Sequence, residues 1–221
     1  MKRILCYGDS NTWGHDPVNT DAVTGLPARY DENTRWPCIM RDLLGSDYIV
    51  WEAGLCGRTT VFDDPLMPTR NGVKDFEMVL QTCDPVDCII FALGTNDTKD
   101  MFQASSLIIY HGMERLLNVC RAVLAQSRSP HAKIILACPL KPVADGSGAY
   151  WYGFSELSTD RGEQLRQRYQ MLAQQAGCTY IDLNDLAVAS PADGVHLDPD
   201  GHKRVGEAMA QLVQTVLAEQ K

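Results

Sequence analysis

No stretch of this chain is apolar for long enough to cross a bilayer. Runs such as Cys88 to Leu93 and Ile134 to Leu136 fall far short of the roughly 20 residues a spanning helix needs. An apolar leader core is missing as well. Met1-Lys2-Arg3 is basic, but only Ile4 to Tyr7 follow before Gly8-Asp9-Ser10, so no secretory signal is expected. Without one, the glycosylation-like triplet Asn96-Asp97-Thr98 carries no weight. Positive charge is in the minority, with 20 Lys plus Arg against 28 Asp plus Glu and a formal charge of -8. That balance argues against nucleic acid and anionic membranes as partners, and suits a protein acting on neutral or cationic small molecules. Among the eight cysteines no pair has Cys-x-x-Cys spacing, which excludes the commonest zinc and redox motifs. Cys6, Cys88 and Cys138 lie inside strand-like apolar runs, so buried, reduced thiols in a cytoplasmic protein are expected. Repeats, low-complexity runs and Pro/Gly/Ser linkers are also absent, and residues 1–221 read as one domain.

What is present is a globular composition. With 221 residues, 45% of them apolar, the chain can bury roughly 70% of its unfolded surface without a disulfide staple. Short apolar or β-branched runs alternate with stretches of helical period. Arg3 to Tyr7, Tyr48 to Trp51, Cys88 to Leu93, Lys133 to Cys138 and Thr179 to Leu183 are expected as strands. Trp36 to Leu44, Val73 to Cys83, Leu107 to Ala125, Gly162 to Ala176 and Pro199 to Leu217 are expected as helices. Gly177 is a natural C-cap. Alternation of this kind predicts an α/β fold: a five-stranded parallel sheet in a three-layer α/β/α arrangement. Three segments are too long for simple connections: Asn11 to Arg35, Gly57 to Asn71 and Pro139 to Glu156. Each follows a strand, so all three belong at the carboxyl edge, where open α/β sheets bind ligands.

The chemistry-bearing residues fall at those strand ends. The first strand runs into Gly8-Asp9-Ser10-Asn11-Thr12. This is neither the Gly-x-Ser-x-Gly elbow of α/β-hydrolases nor a dinucleotide or phosphate loop. Ser10 alone reads as a turn or helix cap. A serine nucleophile needs an imidazole to take its proton and a carboxylate to orient that imidazole. Asp193-Gly194-Val195-His196 offers both within one turn. A rival reading takes Asp193, His196, Asp198, Asp200 and His202 as a divalent-metal cluster. Asp200 fits better in the first turn of the last helix, where carboxylates are favoured. Asn96, in Leu93-Gly94-Thr95-Asn96-Asp97, could be a turn residue or an amide aimed at a developing oxyanion. Gly57 could be an ordinary turn glycine or a close backbone donor.

The set Gly8-Asp9-Ser10, Gly57, Asn96 in Gly-Thr-Asn-Asp and Asp193-x-x-His196 resembles the SGNH (GDSL) hydrolase superfamily, in order and across essentially the whole chain. Gly8 to Gly14, Gly57-Arg58-Thr59-Thr60, Asp63-Asp64-Pro65 and Leu93 to Lys99 look like its arylesterase/acyltransferase branch. The resemblance implies a flavodoxin-like sheet with Ser10 as nucleophile, His196 as base and Asp193 as orienter. It further implies an oxyanion hole made of the Ser10 and Gly57 backbone N–H groups and the Asn96 side chain. Two positions depart from the acyltransferase members: Asn11 stands for an apolar residue and Gly57 for alanine. Relatives of this branch assemble into octamers through loop contacts, so a homo-oligomer is implied, its copy number left open.

Other candidates surround this set. Asn11, Trp13, Trp151 and Phe154 are candidate substrate contacts. Tyr150, Trp151, Tyr152 and Phe154 crowd into one Gly-rich loop, as a pocket wall, a lid or a subunit contact. Arg58 is read either as a solvated charge or as a partner of Asp63 or Asp64. The expected function is a cytoplasmic serine esterase that cleaves short-chain aryl or alkyl esters through an acyl-Ser10 intermediate. Water releases the acyl group, with alcohols or peroxide as competing acceptors, and no metal or other cofactor takes part. Thioesterase and carbohydrate O-deacetylase are the alternatives within the class. Outside it stands a flavodoxin-like binding module, which would have no use for Asp193-x-x-His196.

Overall fold

The computed structural model describes residues 1–218. Strands β1 (Lys2–Gly8), β4 (Tyr48–Gly54), β5 (Cys88–Ala92), β6 (Lys133–Cys138) and β7 (Thr179–Asp182) form one sheet in the order β4-β1-β5-β6-β7. Every neighbouring pair is parallel. Counted along this sheet the order is the flavodoxin-like 2-1-3-4-5, whose switch point lies between β1 and β5. Gly8 pairs with Gly54 on one side and Ala92 on the other. The carboxyl ends of three strands therefore finish level, and the segments that follow them emerge along one edge.

Alternating side chains feed two cores. Leu5, Tyr7, Ile89 and Phe91 point to one face, where α3 (Gly72–Cys83), α4 (Ser106–Leu124) and α5 (Glu156–Ala176) add Phe76, Met113 and Tyr169. Ile4, Cys6 and Ile90 point to the other, against Trp36 and Met40 of α2 (Trp36–Leu44) and Val205 and Met209 of α6 (Pro199–Ala218). All eight cysteines are free thiols and six are buried. No helix among the described residues is long and apolar enough to cross a membrane.

Element identities follow the sequence pattern, with three differences. Strand β6 matches expectation at both ends, and the other four sheet strands differ from it by one to three residues at an end. Helix α5 begins at Glu156, not Gly162. Its first turn, Glu156 to Arg161, is polar and gives no periodic signal, but a capping box between Ser155 and Ser158 draws it into helix. Gly162 sits inside that helix because Lys141 passes so close that a Cβ would lie 2.6 Å from its side chain. The third difference is the segment 11–35, expected as irregular. It contains α1 (Ser10–Trp13) and a hairpin of β2 (His15–Thr20) and β3 (Pro27–Arg29). Four residues are too few for a helical period, and the hairpin's mostly exposed strands have no buried face to generate alternation.

Candidate active site

Ser10 opens α1 directly after β1, and the Asp9 carboxylate caps that helix by accepting from the Asn11 backbone N–H at 3.0 Å. The Ser10 Oγ lies 2.8 Å from Nε2 of His196. His196 Nδ1 lies 2.5 Å from an Asp193 carboxylate oxygen. The other Asp193 oxygen accepts from the backbone N–H groups of Val195 and His196, so the turn that carries the imidazole also fixes the carboxylate. Gly194 makes this turn possible at φ +70, and a Cβ there would meet the Val143 carbonyl. Burial alone would raise the Asp193 carboxyl. The hydrogen bond and charge of His196, with the two backbone donors, outweigh burial and hold it below the ordinary range.

Asn11, expected to contact substrate, does not line the cavity. Its amide donates to the Val195 carbonyl and its oxygen accepts from the Leu197 N–H at 2.8 Å. It thus clasps the chain on both sides of His196 and ties the helix that carries Ser10 to the segment that carries His196. A single sequence gives no sign of that contact, because the partners lie about 185 positions away. Asn96 opens a 3₁₀ turn after β5, and its side-chain N–H₂ donates to the Arg58 carbonyl at 3.1 Å. One of its two protons is thereby anchored, and the residue lines the cavity. The neighbouring Asp97 accepts from the Thr60 N–H and hydroxyl, and burial raises its carboxyl to about 6. Burial likewise raises Asp9 to about 6.

Ser10, Gly57, Asn96, His196, Trp13 and Trp151 share one cavity of about 600 Å³. Gly57 adopts φ +82, a left-handed conformation that strains any side chain-bearing residue. Phe154, expected among the substrate contacts, is buried behind Trp151, rings stacked 6.4 Å apart, and does not reach the cavity. Of the aromatic loop, Trp151 and Tyr152 line the cavity. Arg58 fits neither reading of it. Its guanidinium is buried over the Tyr7 ring at 4.1 Å and donates to the Gly8 and Ala53 carbonyls, while Asp63 pairs with Lys74.

The five-residue crowd from Asp193 to His202 does not assemble. Asp198 accepts from the Gly201 N–H in the turn leading into α6, and His202 accepts from the Trp36 N–H. Among the described residues the one group of possible metal ligands is His15, Asp193 and His196. The His15 and His196 rings are stacked, however, 3.8 Å apart and 20° from parallel. Their in-plane lone pairs therefore run side by side and do not converge on one ion. His15 is the residue that sequence reasoning missed. It lay in a segment without periodicity, and its only signal was a histidine five positions after Ser10.

The family model for GDSL-like lipases and acylhydrolases matches residues 6–204. A solved aryl esterase of M. smegmatis is 32% identical, covers 98% of this chain and 100% of its own, and superposes with a TM-score of 0.89. A carbohydrate acetylesterase from Sinorhizobium meliloti is 30% identical over 97% of this chain and 99% of its own, with a TM-score of 0.86. An acetylxylan esterase of Xylanibacter ruminicola is 25% identical over 96% of this chain, which spans 43% of that relative's length. The chain belongs to the GDSL-like lipase/acylhydrolase family.

Proposed function

We propose that this acylhydrolase-family chain is a serine ester hydrolase acting on short-chain acyl esters. The observation that carries the reading is the continuous hydrogen-bonded run from Ser10 Oγ through His196 to Asp193, opening onto a cavity that Asn96 also lines. His196 Nε2 takes the Ser10 proton as Oγ attacks the ester carbonyl, and Asp193 holds the ring in the tautomer that can accept it. Charge gathering on the carbonyl oxygen is met by the Ser10 and Gly57 backbone N–H groups and the free Asn96 amide proton. His196 then protonates the departing alcohol, and a water activated by the same ring releases the acyl group. No metal enters these steps.

The apolar walls Trp13, Leu26, Met67, Met101 and Trp151 favour alcohols or peroxide as acceptors beside water, since such walls exclude bulk solvent. Carbohydrate O-deacetylation is a second reading, supported by the names of the S. meliloti and X. ruminicola relatives. Free thiols throughout suit a cytoplasmic location. Exposed Leu26, Leu66 and Tyr152 at the cavity mouth suit a homo-oligomer. The test is a burst of chromophore from p-nitrophenyl acetate. It should be present in the native protein and absent after Ser10→Ala, with the far-UV spectrum unchanged. Phosphonate labelling at any residue other than Ser10 would overturn the assignment.

A further inference from the structure

Four side chains that line the cavity are acidic or strongly basic: Asp21, Arg29, Asp64 and Lys99. Three are already engaged. Asp21 accepts from the Val23 and Thr24 N–H groups and the Thr24 hydroxyl. Asp64 accepts from the Leu66 and Met67 N–H groups. Arg29 donates to the Trp13 carbonyl and lies 3.5 Å from Glu52. Lys99 is different. It is only 6% exposed, yet its ammonium makes no hydrogen bond or ion pair with any described residue. The Phe154 ring lies 5.4 Å from the Lys99 Nζ. Burial pulls the amine below its ordinary value, although Asp64, Asp9 and Asp97 oppose the shift.

We propose that Lys99 determines specificity, its ammonium receiving a carboxylate carried by the ester substrate. An ammonium without a hydrogen-bonded or ion-paired partner in a largely apolar cavity is costly to hold there, and an incoming anion lowers that cost. A neutral hydroxyl could accept a hydrogen bond but would leave the charge uncancelled. A phosphate dianion would leave one negative charge over, because a single ammonium lacks the paired donors of a guanidinium. With Asp21, Asp64 and Arg29 already engaged, the one cation left without a partner matches one carboxylate. The chain's net charge of -8 does not decide the matter, since charges beyond about 8 Å are largely screened at physiological salt. Lys99 directly follows the 3₁₀ turn that Asn96 opens. One short segment therefore holds both the amide assigned to the reacting carbonyl and the amine assigned to the remote anion.

The proposal rests on the reading of the cavity as an ester site, so its first test needs no turnover. In Ser10→Ala protein, quenching of Trp13 and Trp151 fluorescence should report monomethyl glutarate binding roughly 10-fold or more tighter than methyl butyrate. Adding Lys99→Met should erase the difference, and equal binding in the single variant would overturn the proposal. With Ser10 intact, kcat/KM is compared for p-nitrophenyl hemiglutarate, 4-butyryloxybenzoate and neutral p-nitrophenyl butyrate. The first carries its carboxylate on the acyl side, the second on the alcohol side. Lys99→Met should lower the anionic-to-neutral ratio by roughly 10- to 100-fold on one side, which identifies the bearing group, and Lys99→Arg should keep most of it. Ratios unchanged on both sides would refute the proposal. Lys99→Met should also raise Tm, because it removes a buried amine that has no hydrogen-bonded partner; a lower Tm with unaltered ratios would make Lys99 structural. If binding discriminates as expected but no ester turns over, the hydrolase reading fails, and of this inference only carboxylate recognition by Lys99 survives.

Discussion

The His15 ring lies stacked on the His196 ring, centroids 3.8 Å apart, while Trp151 meets His196 edge-on at 5.1 Å. Burial first, and the charge of His196 second, push His15 down to about 4. It should therefore stay neutral and act on His196 as a flat wall that positions the ring. His15→Phe keeps the wall and should hold kcat within about threefold. His15→Ala removes it and should lower kcat by roughly tenfold with a smaller change in KM, because small misplacements of a base are costly. Equal kcat in the two variants would show that the stack does not position the ring.

Asn96 tests the oxyanion assignment. Its amide is held by the Arg58 carbonyl, so the side chain is fixed before substrate arrives. Asn96→Ala should lower kcat by about 10² to 10³, as loss of one such donor does. KM should move far less, since the contact strengthens only as charge develops. A defect confined to KM would place Asn96 in ground-state binding.

Asp193→Asn separates geometry from charge. The substituted side chain can still accept from the Val195 and His196 backbone N–H groups, so the turn should persist. The imidazole loses the partner that fixes its tautomer, and kcat should fall by about 10⁴. Retained activity, read with the burst assay, would reduce Asp193 to a turn residue.

Dialysis against EDTA should leave ester hydrolysis unchanged. His15 and His196 stack with lone pairs side by side, and His196 Nδ1 and Nε2 are already engaged by Asp193 and Ser10. Loss on chelation with recovery on adding zinc would mean that the rings rotate to bind it.

The fold was legible because strands buried on both faces read as continuous apolar runs, as Cys88 to Ala92 does, and because α2 and α6 keep their period. Ser10, Asn96 and His196 were legible as residue types at strand ends or before a helix. Illegible were the contacts between distant segments. Asn11 reads as a neighbour of the nucleophile, but it is occupied by Val195 and Leu197. Arg58 reads as a solvated charge or a partner of Asp63 or Asp64, but it is sunk beneath β1 on the Tyr7 ring. Phe154 and Trp151 share a loop, yet only packing decides which of them faces the cavity.

The last prediction concerns stability against pH. Burial first, with the charge of His196 next, drives His202 down to about 4; burial also dominates at His15. An unfolded histidine titrates near 6.5. Between 6.5 and about 4 the unfolded chain therefore binds protons at these two sites that the folded chain refuses, and stability falls as pH falls. Asp9 and Asp97, both raised to about 6, act oppositely. The folded chain binds their protons more tightly than the unfolded one, so their contribution grows as pH drops from 6 toward 4. The native protein should show a shallow slope because the two pairs oppose each other. His202→Gln removes one histidine from the balance without touching the Ser10–His196 contact. The urea-derived stability gap between native protein and variant should shrink by about 2 kcal/mol from pH 7.5 to pH 5. A gap that stays constant would mean that folded His202 is protonated at pH 5 at no cost, and that its burial against Trp36 and Tyr30 does not hold it neutral.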